Sequence, residues 1–144
     1  MSENGRILVL LGSNLGNREL NLKAARALLA EALGVETEAT EIIETEAVGF
    51  DGPPFLNQIL WFERPLELKP EELLEICQAV EVDLGRPVHE VEYNSDGSRK
   101  YVSRSIDIDI LKFGTLRRCS KRLIIPHPQC REREFVKQLL KMIK

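Results

Sequence analysis

Asp107 and Asp109 stand two residues apart in Ser105-Ile-Asp-Ile-Asp-Ile110, a stretch that reads as a strand. Side chains alternate across a strand, so Ile106, Ile108 and Ile110 share one face while Asp107, Asp109 and Leu111 share the other. The isoleucines are expected to face a helical layer. The two carboxylates then lie roughly 6.6 Å apart along the strand, at ~3.3 Å per residue. Like charges this close repel unless something cationic lies between them. A hard divalent ion, which takes carboxylate and phosphate oxygens, suits the pair, and two such ions about 3.5–4 Å apart can clamp a phosphoryl group during displacement. The same pattern also fits a solvated strand face paired with Arg99 or Arg104.

The neighbours point toward phosphate. Arg104 lies three residues before Asp107, and Arg86 opens a long polar stretch. His127 is flanked by prolines, with Arg131 and Arg133 just beyond. Carboxylates for a metal, with arginines and a histidine for phosphate oxygens, form a phosphoryl-transfer constellation. Each residue alone also fits a blander place: His127 a turn, the two arginines a solvated face beside Glu132 and Glu134. Phe55 and Asn57 share one face of their strand; an aromatic plate beside a carboxamide suits a flat heterocycle, and equally suits core packing around a satisfied amide. Gly12-Ser-Asn-Leu-Gly16 could offer backbone N–H groups to phosphate. It lacks the G-K-[ST] ending of a P-loop, so a tight strand-to-helix turn is the favoured reading.

The chain's 144 residues, 43% hydrophobic and 30% charged, fit one globular domain spanning 1–144. No apolar run is long enough to span a bilayer, and the N-terminus lacks the basic and apolar segments of a signal peptide. The three cysteines, Cys77, Cys119 and Cys130, form no CxxC pair; free thiols and a cytoplasmic setting are expected. The net charge of −3 hides a split. Residues 1–98 hold seven Lys/Arg and 19 Asp/Glu, and residues 99–144 hold 13 and four. A basic C-terminal third suits nucleic acid, a phosphorylated small molecule, or simply water.

Several elements must position these side chains. Arg6 to Leu11 reads as a buried strand, and Arg18 to Leu33 as a helix with Leu20, Ala24, Leu28 and Ala32 on its apolar stripe and Gly34 as its stop. Glu36 to Glu46 and Phe55 to Glu63 read as strands. Pro70 opens a second helix with Glu71 and Glu72 in its first turn; Leu73, Ile76, Cys77, Val80 and Leu84 form its apolar face, and Gly85 ends it. Arg86 to Ser103 has no period; a loop this long is usually functional, often a lid. Arg104 to Phe113 is a strand, and Glu132 to Met142 a last helix with Phe135, Leu139 and Ile143 on one stripe. The order predicts an α+β fold with a ferredoxin-like βαββαβ core: an antiparallel sheet with helices packed on it, a C-terminal helix and a long mobile lid loop.

Leu11-Gly-Ser-Asn-Leu-Gly16, Arg104-Ser-Ile-Asp-Ile-Asp-Ile-Leu-Lys-Phe-Gly114 and Arg122-Leu-Ile-Ile-Pro-His127 together resemble the 6-hydroxymethyl-7,8-dihydropterin pyrophosphokinase family. The second stretch is close to that family's R-T-x-D-x-D-[IL]-[IL]-x-[FY]-G signature, and the third to its R-L-x-[IV]-P-H. Phe55-Leu-Asn57 and Gln78-x-x-Glu81 also fall at the expected points.

The resemblance implies transfer of pyrophosphate from ATP to the pterin hydroxymethyl group, with release of AMP. It implies two Mg2+ ions on Asp107 and Asp109. Phe55 and Phe135 would sandwich the pterin, with Thr45, Val48 and Asn57 at its polar edge. Gln78, Glu81, Ile110, Arg122, His127 and Arg133 would hold ATP. Arg86 and Arg104 would come from the closing loop, with Tyr101 at the aromatic cap. The implied partners are ATP and a pterin, with neither nucleic acid nor membrane, and the implied state is a monomer.

This chain departs from the family pattern in places. Thr45-Glu46-Ala47 stands where Thr-Pro-Pro is usual, Tyr101 where Trp is frequent, and Val102-Ser103 where Gly-Pro is usual. The lid is a few residues longer. A metal-dependent phosphatase or nuclease, or a binding module without turnover, are the alternative classes.

Overall fold

The computed structural model describes residues 5–47, 52–85 and 105–143. The expected lid over 86–103 lies outside the described residues. β1 (Arg6–Ser13) runs two residues beyond the apolar run, through Gly12 and Ser13. It pairs antiparallel with β4 (Phe55–Glu63) on one side and β5 (Asp107–Phe113) on the other. Both faces of β1 are covered, which explains a continuous apolar run in place of alternation.

The single strand expected over 36–46 is two short ones, β2 (Glu38–Ala39) and β3 (Ile43–Thr45), each paired antiparallel with β4. Ala39 lies opposite Leu60 and Ile43 opposite Asn57, so this side carries one extra residue. Thr40 fills the break. Its N–H donates to the Ile59 carbonyl at 2.9 Å, and its hydroxyl accepts the Ile59 N–H at 3.0 Å. That is a bulge whose ladder is repaired by a side chain. The sheet order is β2-β4-β1-β5, with β3 also on β4. The architecture is α+β, an antiparallel sheet with helices.

α1 (Arg18–Leu33) and α2 (Pro70–Asp83) have the expected bounds. The Asn17 side chain caps α1 by accepting the Leu20 N–H at 3.1 Å, and left-handed Gly34 stops it. The α1 stripe is a correction. Leu22, Ala25 and Leu29 are buried, while Leu20 is 59% exposed and Ala32 is exposed. The helix is apolar at most of its positions, so the 3.6-residue period fits more than one stripe, and the docking surface chooses. On α2 the expected face is buried at Leu73, Cys77 and Val80. The Glu72 carboxylate accepts the Lys69 N–H at 2.9 Å at its start. These helices cover the sheet face formed by Ile7, Val9, Leu11, Ile106, Ile108 and Ile110, as the isoleucine alternation predicts.

β5 carries a second bulge. Val9 pairs with Ile110 and Leu8 with Lys112, so Leu111 is the extra residue. Strict alternation would put Phe113 on the aspartate face. The bulge returns it to the cluster under α1 and α2, while Leu111 packs on the other side.

That other side buries Leu8, Leu10, Ile59, Trp61 and Leu111 beneath Val136 and Leu139. The expected final helix is two: α3 (Gln129–Glu132) and α4 (Glu134–Leu140), divided at Arg133, whose backbone is extended at φ −110°, ψ 121°. Phe135 and Ile143 pack at the rim of this cluster. A ribbon of β6 (Arg118–Cys119) and β7 (Ile124–Ile125) lies before α3. Leu139→Ala should therefore lower stability by about 2–5 kcal/mol, whereas Leu20→Ala should stay within about 0.5 kcal/mol; urea unfolding of the two variants checks both the second-face packing and the α1 stripe.

Candidate active site

The apolar cluster under α4 reaches the rank in which Asp109 faces Leu10 and Leu10 faces Ile59. The next rank toward this end of the sheet is Asp107, Gly12, Asn57 and Ile43 on four adjacent strands. Asp107 and Asp109 are both half-buried. With neighbouring strands ~4.8 Å apart, Asp107 and Asn57 are separated by about 10 Å across a glycine. A carboxylate end and an aromatic–amide end thus share one face.

The carboxylate end is held from both sides of the sheet. Glu81 on α2 is buried, 6% exposed, and its Oε2 accepts the Ile108 N–H at 2.9 Å. That charge-assisted bond grips the backbone between the two aspartates. From the other side, Gln129 Nε2 donates to Asp109 Oδ2 at 3.0 Å, and Arg133 Nη1 donates to Gln129 Oε1 at 3.1 Å. Burial pushes the Cys77 thiol far above its ordinary range, and the charges of Glu81 and then Asp109 add to the shift. The site is negative where it meets the core. Among the described residues, no group of three His, Cys, Asp or Glu side chains could hold a metal. Two carboxylates on a partly open face nonetheless fit magnesium, which keeps several waters and shares phosphate oxygens in place of an all-protein cage.

At the other end, Asn57 is 4% exposed. Its Nδ2 donates to Thr45 Oγ1 at 2.8 Å and to the Ile43 carbonyl at 3.4 Å. A carbonyl only accepts, so the amide nitrogen is on that side. The Asn57 oxygen then stands 3.5 Å from where a Cβ on Gly12 would be, as does the Phe55 ring. Phe55 is half-buried opposite Thr45.

Gly12 and Ser13 complete β1, the chain then turns into α1 over residues 14–17, and this corner grips the ends of the connection between β3 and β4. Asn14 Nδ2 donates to the Pro53 carbonyl at 3.1 Å. Arg18 Nη1 donates to the Pro54 carbonyl at 2.8 Å and to Glu44 Oε2 at 2.9 Å. Neither Asn14 nor Arg18 is singled out by sequence pattern, since nothing local marks their distant partners.

His127 donates its backbone N–H to the Leu111 carbonyl at 2.9 Å, and its Nδ1 accepts the Gln129 N–H at 3.1 Å. The imidazole proton is therefore on Nε2. Arg133 stacks over the Phe135 ring, 4.4 Å from its centroid. Gln78 on α2 and Arg122 before β7 are exposed. Ile110 is buried among the core residues under α1 and α2, so anything it offers a ligand is backbone. Gln129 is a further residue that sequence pattern misses. Its only signal is a four-residue spacing to Arg133.

The sequence model of the 7,8-dihydro-6-hydroxymethylpterin-pyrophosphokinase family matches residues 8–144. The chain belongs to that family. A Porphyromonas gingivalis protein named 2-amino-4-hydroxy-6-hydroxymethyldihydropteridine pyrophosphokinase is 41% identical over 132 residues, 90% of this chain and 84% of that protein. A Bacillus subtilis protein of the same name is 40% identical over 130 residues, 89% of this chain and 71% of that protein. An Arabidopsis thaliana protein named Folate synthesis bifunctional protein is 36% identical over 131 residues, 90% of this chain but 25% of that longer protein.

Of the residues this family resemblance assigns, Val48, Arg86, Tyr101 and Arg104 lie outside the described residues. The structure gathers Asp107, Asp109, Glu81, His127 and Arg133 around one end of β5, and Thr45, Phe55 and Asn57 around β4. Glu81→Ala should cost about 1–3 kcal/mol by leaving the Ile108 N–H buried without this partner. Glu81→Gln, which keeps an acceptor, should recover most of that; denaturant unfolding with amide exchange at Ile108 reads both.

Proposed function

We propose that this protein transfers pyrophosphate from ATP to the hydroxymethyl group of 6-hydroxymethyl-7,8-dihydropterin, releasing AMP, in folate biosynthesis. The observation that carries this reading is the Asp107–Gly12–Asn57 rank. It sets a carboxylate end about 10 Å from an aromatic–amide end on one sheet face, a spacing that suits a bicyclic ring with a short arm. The relatives' names agree with it. The strand order β5-β1-β4-β2 supports a ferredoxin-like core within one pyrophosphokinase domain. Three free thiols agree with a cytoplasmic setting.

Asp107 and Asp109 would hold two magnesium ions, which when bound offset the charge of the triphosphate. The chain's own residues position the reactants. Phe55 and Phe135 flank the pterin ring, and Thr45, Val48 and Asn57 read its polar edge. The Asn57 oxygen accepts from the ring's amino side, because its nitrogen is already bonded to Thr45. His127, through Nε2–H, and Arg133 bind ATP with Gln78, Arg122 and the backbone of Ile110. Glu81 serves ATP by fixing the strand that carries both aspartates. Asp109 takes the proton of the attacking hydroxyl. By the family resemblance, Arg86 and Arg104, with Tyr101 as the aromatic cap, would complete the cover of the reactants. Positioning and charge neutralisation of this kind are what phosphoryl transfer requires.

Incubation with ATP, magnesium and the pterin should yield AMP and pterin pyrophosphate in equal amounts; free phosphate without pyrophosphorylated pterin would mean a phosphatase instead. Asp107→Ala and Asp109→Ala should each lower kcat by about 10^2–10^3-fold or more, and near-normal turnover in either would remove the metal assignment. Phe135→Ala should weaken pterin binding more than ATP binding in calorimetric titrations, and an equal loss of both would make Phe135 a packing residue only.

A further inference from the structure

Among the described residues Gln129 makes four hydrogen bonds, and each goes to a residue of the proposed ATP and metal site. Its backbone N–H donates to His127 Nδ1 at 3.1 Å. Its side-chain nitrogen donates to Asp109 Oδ2 at 3.0 Å. Its side-chain oxygen accepts from Arg133 Nη1 at 3.1 Å. Its backbone carbonyl accepts the Arg133 N–H at 3.2 Å. The orientation of the amide follows from its partners. A carboxylate only accepts and a guanidinium only donates, so the nitrogen must face Asp109 and the oxygen Arg133.

A primary amide is suited to that place for a physical reason. It can donate to an anion and accept from a cation at once, and it adds no charge. Direct contact between Arg133 and Asp109 would let each neutralise the other, so that neither charge would remain for a ligand. With the amide between them, Asp109 keeps its charge for a cation and Arg133 keeps its charge for phosphate. Both are held by bonds to the same rigid group. Arg133 is fixed a second time by stacking on Phe135, and the His127 tautomer is fixed by the Gln129 N–H.

We propose that Gln129 is a positioning residue that spaces the cation-binding carboxylate Asp109 from the phosphate-binding Arg133 and His127. The inference rests on the proposed use of ATP and magnesium at this site. It concerns nucleotide and metal directly and meets the pterin end only where Arg133 stacks on Phe135, whose ring is also held by packing at the rim of the second sheet face, which makes it separable from a general loss of structure.

The test compares wild type with Gln129→Leu and Gln129→Glu. Leucine keeps approximate size and removes both side-chain bonds; glutamate keeps an acceptor for Arg133 and sets a second carboxylate beside Asp109. For Gln129→Leu the expectation is a rise of at least fivefold in the Kd of magnesium with a non-hydrolysable ATP analogue, and a tenfold or greater fall in kcat. The KM for pterin should stay within twofold, and the Tm should be unchanged. For Gln129→Glu the expectation is at least fivefold tighter binding of Mn2+ to the nucleotide-free protein, a change that a purely structural residue would not produce. The inference is overturned if Gln129→Leu binds the nucleotide as wild type does, if pterin and nucleotide weaken together with a falling Tm, or if Mn2+ affinity is the same in Gln129→Glu and wild type. Wild-type protein that binds no nucleotide would overturn the underlying reading itself, and the inference with it.

Discussion

The Glu81–Ile108 hydrogen bond is the contact on which the site depends. Asp107 and Asp109 carry like charges on one face of an edge strand, roughly 6.6 Å apart along it. At an effective dielectric of ~20, two charges at that separation repel by about 2.5 kcal/mol. A hydrogen bond to a charged acceptor contributes about 1.5–3 kcal/mol, a comparable amount. The backbone between the aspartates is gripped on the helical side by Glu81 and pairs with β1 on the other. The pair can therefore stay in place before any ligand arrives. The grip is itself a buried carboxylate, so it deepens the negative potential that also acts on Cys77. In the proposed reading that potential would draw a cation, and the basic residues of the C-terminal third would take the phosphate. The acidic first part and the basic last part of the chain meet at β5.

Much of this could be read from local pattern. The bounds of α1, α2 and β4 are those the sequence predicts, and the isoleucines of β5 face the helices as alternation requires. Most of the misses share one cause, which is that they depend on partners distant in sequence. The break between β2 and β3 is set by Thr40 bonding across to Ile59. The extra residue at Leu111 is set by the register of β5 against β1, with His127 bonded to the Leu111 carbonyl. The α1 stripe is chosen by the surface it docks on. At the site, Asp107, Asp109 and Asn57 are legible because strand alternation and residue type announce them. Gln129, Asn14 and Arg18 are not, because a glutamine after a proline or an asparagine in a turn carries no signal until its partner is brought near.

The connection between β3 and β4 shows the same dependence. The resemblance to the pyrophosphokinase family leads one to expect two prolines after Thr45, and this chain has Glu46 and Ala47. Proline there would restrict the unfolded chain and stiffen the native one. Here the described ends of the connection are tied by other groups. Asn14 and Arg18 fasten the connection at Pro53 and Pro54, and Arg18 also fastens Glu44 at its opposite end. The salt bridge from Arg18 to Glu44 is partly exposed and contributes little by itself. Its value is geometric, because the same guanidinium group holds both ends of one connection. The glycine-bearing turn after β1, with the first residue of α1, thus serves the aromatic–amide end of the site as a scaffold.

The extended backbone at Arg133 joins these ends. A helix running unbroken from 132 to 142 would follow one axis and present one stripe. With Arg133 extended, α3 and α4 take separate starts. α4 sets Val136 and Leu139 into the second sheet face, and α3 sets Gln129 against Asp109. The residue at the break stacks its own guanidinium on Phe135 while donating to Gln129. The cover of the apolar half of the sheet and the anchoring of the carboxylate end are thereby one structural decision. A substitution that straightened the chain at Arg133 would have to choose between them, since Val136 and Gln129 lie on opposite sides of that residue and could not both keep their partners.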